Sequence, residues 1–117
     1  MRFWRLIIAT ALLSSPAAIQ AETGGVWRVN GVIGGRAVVL DCRLEQSGGV
    51  CVDAAPGGKS HPLVKMAGSG NQLSWSFKTR YLFMDITLAF TGRVTGDHMS
   101  GTLAAAGRSG TFTATRR

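Results

Sequence analysis

Residues 72–94 read QLSWSFKTRYLFMDITLAFTGRV, and the spacing of their apolar side chains decides the fold class. Leu73, Trp75 and Phe77 alternate with Ser74, Ser76 and Lys78. Further on, Ile86, Leu88 and Phe90 alternate with Asp85, Thr87 and Thr91. Successive side chains of a β-strand point to opposite faces, so a period of two marks a strand buried on one side only. Two such runs joined by a short irregular stretch predict a long hairpin.

The same rhythm continues on both sides of that hairpin. Upstream, Trp27 and Val29 alternate with Arg28 and Asn30, Gly34-Gly35 supplies a two-residue turn, and Val38, Leu40, Cys42 and Leu44 alternate with Val39, Asp41, Arg43 and Glu45. Ser47-Gly48-Gly49 returns the chain into VCVDA, and Ala55-Pro56-Gly57-Gly58 forms a loop. The next strand, KSHPLVKMA, contains Pro62, which has no N–H for a ladder. It is therefore an edge strand, is bulged, or starts near residue 63. Downstream, a Ser-Gly-Thr-apolar motif recurs at residues 100–103 and 109–112, one in each arm of a final hairpin.

Eight short strands with a turn signal about every ten residues, and no helical period after the first 21 residues, predict an all-β antiparallel up-and-down meander. An open sheet of this size exposes two unpaired edges, and closure into a barrel removes both. Gly31, Gly92, Gly101 and Gly110 fall inside the predicted strands, as tight bends of a strongly curved sheet require. The outer positions read Ser74, Ser76, Lys78, Asp85, Thr87, Thr91, Arg93, Ser100, Thr102, Thr111, Thr113 and Thr115. A membrane barrel needs an apolar outer band, so the expected barrel is small and water-soluble.

The chain opens MRFWRLIIATALLSSPAAIQA, with Arg2 and Arg5 ahead of an apolar run ending at Leu13, then Pro16 and small residues. That is the pattern of a secretory signal peptide (1–21), cut after Ala21, followed by a single domain (22–117). The apolar run is far short of the roughly 20 residues that span a bilayer. Without Arg2 and Arg5, 11 basic residues stand against 6 acidic ones, about +5, and they are scattered rather than striped. Nucleic-acid binding is not expected from such a distribution.

Cys42 and Cys51 flank a hairpin turn. Pairing Leu44 with Gly49 and Arg43 with Val50 sets the two cysteines opposite each other, within disulfide reach. In an oxidising periplasmic or extracellular compartment they are expected to bridge, and a closed loop of about 10 residues predicts roughly 2.7 kcal/mol of stabilisation. The spacing is unlike the CxxC of redox-active pairs. His61 and His98 are isolated in sequence, so neither a metal site nor a cofactor is expected, and no catalytic motif links them to Asp41, Asp53, Asp85 or Asp97.

Two features are left as candidate sites. Trp27, Trp75, Phe77, Phe90 and Phe112 fall on the inner face, where they either fill the barrel or line a cavity for one small apolar ligand. At Lys78, Thr79, Arg80, Tyr81, Leu82, Phe83 and Met84 alternation fails, and four consecutive large apolar residues meet two cations. Exposed, such a cluster anchors a partner protein; alternatively, Tyr81 and Phe83 plug one barrel end.

At Gly25-Val26-Trp27 and Arg116 the chain resembles the calycin group, the lipocalin- and avidin-like barrels. There a Gly-x-Trp on the first strand is covered by a basic residue from the last strand, which implies barrel-end closure by Gly25, Trp27 and Arg116. The chain is also similar to bacterial alkaline-protease inhibitors, periplasmic eight-stranded barrels with one disulfide and an early tryptophan that insert an N-terminal segment into a metalloprotease cleft. Here only residues 22–25 precede the first strand, and the cysteines are closer together. The expectation is a non-catalytic, monomeric, extracytoplasmic binding module of unassigned partner. Protease inhibition and carriage of a small apolar ligand are the alternatives.

Overall fold

The computed structural model describes residues 24–45, 48–81 and 83–117; the expected signal peptide, Leu82 and the side chain of Tyr81 lie outside the described residues. Eight strands run in order: β1 (Gly25–Ile33), β2 (Arg36–Glu45), β3 (Gly48–Asp53), β4 (Ser60–Ser69), β5 (Gln72–Tyr81), β6 (Met84–Thr95), β7 (His98–Ala105) and β8 (Arg108–Arg116). Each pairs antiparallel with the next, and β8 returns to β1, closing the barrel. The meander expected from alternation is therefore the fold. No helix among the described residues is long and apolar enough to cross a membrane.

Alternation translates directly into burial. The inward positions of β1, Trp27 and Val29, are fully buried, as are Cys42 and Leu44 of β2. Leu73, Trp75 and Phe77 of β5 and Phe90 of β6 are at most 2% exposed, while Ser, Thr and charged residues of the same strands face outward. Burying one such large side chain stabilises the fold by about 1.5–3 kcal/mol. Val94, Ala105 and Ala114 complete the inner wall; their small or shared pattern with polar neighbours hid them in the sequence.

The tight curvature depends on glycine at defined points. Gly92 and Gly101 sit opposite each other across β6 and β7. A Cβ on Gly92 would lie 2.9 Å from the Phe112 ring, and one on Gly101 only 1.9 Å from the Thr91 carbonyl oxygen. Strands approach there more closely than any side chain allows.

The Cys42–Cys51 disulfide is formed, between residues directly opposite in the β2/β3 ladder. The next seam is thinner: β3 and β4 share three register pairs, Val50 with Pro62, Cys51 with His61 and Val52 with Ser60. Pro62 is thus inside a strand, and just beyond it the ladder to β5 carries a register shift between Leu63 and Lys65. Of the three positions open to Pro62 in the sequence, the bulged strand is the one adopted, and it starts at Ser60.

Candidate functional site

The ladders of β5 and its neighbours have unequal lengths. β5 and β6 pair continuously over ten positions, from Gln72 with Arg93 to Tyr81 with Met84. The β4 ladder on one flank stops at Leu63 with Phe77, and the β7 ladder on the other starts at Ala89 with Ala104. Residues 78–81 and 84–88 therefore pair only with each other, as a two-stranded arm; its base is still part of the barrel, since Leu88 is buried and Ile86 packs against the core.

Backbone pairing in the arm is regular on both strands. What reads in sequence as failure of the pattern is the connection between paired Tyr81 and Met84, in which Phe83 is a turn residue. Phe83 is 91% exposed and does not plug the barrel, which corrects the Phe83 half of the plug expectation; the side chain of Tyr81 lies outside the described residues. Its backbone is left-handed, φ 70°. In the β1/β2 turn the left-handed positions are held by Gly34 and Gly35, which tolerate that conformation, whereas a bulky residue there is strained. Met84 is 60% exposed. Lys78 and Arg80 are also exposed; Arg80 donates to the Phe83 carbonyl at 3.3 Å and pairs with Asp85 at 3.4 Å, bracing the turn.

The opposite end carries Gly24 and Arg117, the first and last described residues, and is closed. The Arg116 guanidinium lies 4.3 Å from the centroid of the Trp27 ring, donates to the Gly24 and Gly96 carbonyls and pairs with Asp97 at 3.0 Å. Gly25 sits beneath it with φ 118°, and a Cβ there would come 3.1 Å from an Arg116 nitrogen. Gly25, Trp27 and Arg116 thus come together, with Trp27 buried under the cation. On the outer wall nearby, Arg28 donates twice to Asp41, at 2.6 and 3.0 Å. Those hydrogen bonds, reinforced by the charges of Arg28 and Arg117, hold the Asp41 carboxyl below its ordinary value although partial burial acts the other way.

Inside the barrel the aromatic residues touch one another. Trp75 and Phe90 stack 5.0 Å apart within 4° of parallel, and Phe112 meets both edge-on. Phe77 continues the stack from Phe90 at 6.0 Å. Trp75 Nε1 is the buried side-chain nitrogen or oxygen that lacks a hydrogen-bond partner among the described residues.

His61 is not isolated. Its Nε2 lies 3.0 Å from Asp53 Oδ1, its ring stacks on Phe77 at 4.7 Å, and it is 8% exposed. Asp53 of β3, His61 of β4 and Phe77 of β5 are linked across the thinnest seam of the barrel, so the imidazole supplies side-chain cohesion where backbone pairing is sparse. Cys51 and Asp53 lie on the same inner face two residues apart, and that signal was available in the sequence. His98 lies apart, on a shallow outer groove with Arg93, Ser100 and Thr113. No group of three or more potential metal ligands occurs among the described residues.

No protein-family model matches the chain, and neither do any curated protein or solved structure.

Proposed function

We propose that this protein is a non-catalytic extracytoplasmic binding module of calycin-like architecture, and that the arm is its contact element for another protein. One observation carries the reading: Phe83 is fully presented to solvent on a strained backbone. Left-handed φ at a non-glycine residue is destabilising, and so is an aromatic ring in water; neither is compensated within the barrel. An aromatic anchor beside an arginine, at the turn of a hairpin, is the composition of an interface centre. A periplasmic or secreted location is supported by the basic-then-apolar N-terminus and by a disulfide, which requires an oxidising compartment. The test is capture of partners from the native extracytoplasmic extract with the wild-type protein and with Phe83→Gly. Capture is expected to be lost in the variant while the far-ultraviolet spectrum is unchanged; equal capture by both overturns the arm as contact element.

A second reading, carriage of a small apolar ligand, draws on the unpartnered Trp75 Nε1, a donor to which an acceptor could bind. It requires separating rings that now stack on each other. Native mass spectrometry of the protein from its own compartment tests it: a retained small molecule supports carriage and the bare chain mass refutes it.

A further inference from the structure

We infer that the outer wall across β6, β7 and β8 carries an oxyanion site, in which Arg93 grips a phosphate-type group among strand hydroxyls. The site lies at the end of β6 remote from the arm and goes beyond the contact role proposed there.

Strand register builds the site. Arg93 of β6 stands opposite Ser100 of β7, and Ser100 opposite Thr113 of β8. One row on, Thr95 stands opposite His98, and His98 opposite Thr115. Directly opposed residues of antiparallel strands share a face, with Cβ atoms about 4.5–5.5 Å apart. These side chains therefore form two adjacent rows across three strands, and all of them are exposed. They line a shallow groove of about 260 Å³. Pockets that enclose a whole drug-sized ligand run from roughly 300 to 1,000 Å³, so this groove fits one small polar group and leaves the rest of a larger molecule in solvent.

The charge of the groove is an independent observation. Arg28, Arg80, Arg116 and Arg117 each pair with a carboxylate. Arg93 instead donates from Nη1 to Asn71 Oδ1 at 2.8 Å, a neutral acceptor that orients the guanidinium without cancelling its charge. Asn71 is held in turn, since its carbonyl accepts from the Val94 N–H. The remaining Nε–Nη2 edge has no acceptor among the described residues, and such an edge takes an oxyanion through two parallel hydrogen bonds. The carboxylates bordering the groove are already engaged. Asp97, in the turn before His98, pairs with Arg116, and Asp41, opposite Arg28 in the strand beside Thr115, pairs with Arg28 and Arg117. An anion entering the groove thus meets an oriented cation, the hydroxyls of Ser100, Thr113 and Thr115 and the His98 ring, and breaks no ion pair. Donors spread over two rows suit the several oxygens of a tetrahedral group better than the two of a carboxylate.

The test is a titration of the isotopically labelled protein with inorganic phosphate, in a phosphate-free buffer at constant ionic strength, followed by nuclear magnetic resonance. Saturable shifts are expected at the amides of His98, Ser100 and Thr113 and at the Arg93 Nε–H, in the millimolar range appropriate to an exposed site. Arg93→Gln is expected to raise Kd by about tenfold or more, the loss of a charged hydrogen-bonding group. Arg108→Gln removes the same charge at the far end of β8 and is expected to leave Kd within about twofold, because solvent screens distant surface charges. Glycerophosphate distinguishes two sources of the group: tighter binding than inorganic phosphate assigns the site to phosphate esters, and equal or weaker binding assigns it to the free anion. Shifts that do not saturate with either probe, equal weakening by the two arginine variants, or the same shifts with glycerol alone overturn the inference. That failure leaves the arm as a contact element, since capture through Phe83 uses none of these residues.

Discussion

Replacing Phe83 with glycine is expected to make the protein more stable while removing its contact function. The ring is 91% exposed, so its deletion removes almost no packing. A left-handed backbone at a non-glycine residue costs about 1–2 kcal/mol, which glycine relieves. Glycine also enlarges the freedom of the unfolded chain, which returns about 0.4–1 kcal/mol of that gain. The net expectation is a stabilisation of roughly 0.5–1 kcal/mol, or about 2–8 °C in Tm for a domain of this size. The Arg80 hydrogen bond is to the Phe83 carbonyl, and substitution leaves that acceptor in place. Urea unfolding followed by tryptophan fluorescence, with thermal unfolding by circular dichroism, measures the change. Phe83→Ala is the control: it deletes the ring but keeps the strain, so it should leave stability within about 0.5 kcal/mol of wild type. A loss of 1 kcal/mol or more in Phe83→Gly would mean instead that the ring packs against the barrel.

Replacing both Cys42 and Cys51 by alanine should lower unfolding free energy by roughly 2.7 kcal/mol from loop closure, plus a packing loss because both are fully buried. Equilibrium urea curves give that difference directly. Arg116→Ala uncovers Trp27 and leaves the Gly24 and Gly96 carbonyls without their guanidinium donor; a destabilisation of about 1–2 kcal/mol is expected, together with quickened hydrogen exchange at the start of β1. No change in exchange there would sink the closure argument. The Asp41 carboxyl, held low by Arg28, binds its proton less readily when folded than the unfolded value near 3.9 dictates. Its contribution is therefore complete above that value and fades as pH falls through the folded pKa. Arg28→Ala should lower stability slightly at pH 7, as the pair is partly exposed and screened by solvent, and not at all once Asp41 is protonated in both proteins. A difference that persists at pH 2 would point to packing by the arginine stem instead.

Two described non-glycine residues have left-handed backbone, Phe83 and Ala106, and of these Phe83 alone also sets a large apolar ring in water; elsewhere glycine holds the β1/β2 turn and the close approach at Gly92 and Gly101. A residue that opposes both its backbone and its solvent stands out only against such regularity.

The strands, the meander, the bridging cysteines and nearly the whole inner wall are legible in the order of residues alone. Those properties are local: side-chain direction has a period of two, and a hairpin turn sets the register of the strands it joins. The remainder depends on where neighbouring ladders stop. Residues 78–84 look like a broken strand in the sequence because nothing in their order reveals that pairing with β4 and β7 ends short of them. The pairing of His61 with Asp53 arises across a seam between strands joined by a loop, where turn geometry does not specify the register. The exposure of Phe83 likewise follows from closure: a barrel whose interior is already filled by Trp75, Phe90 and Phe112 leaves the arm no place inside.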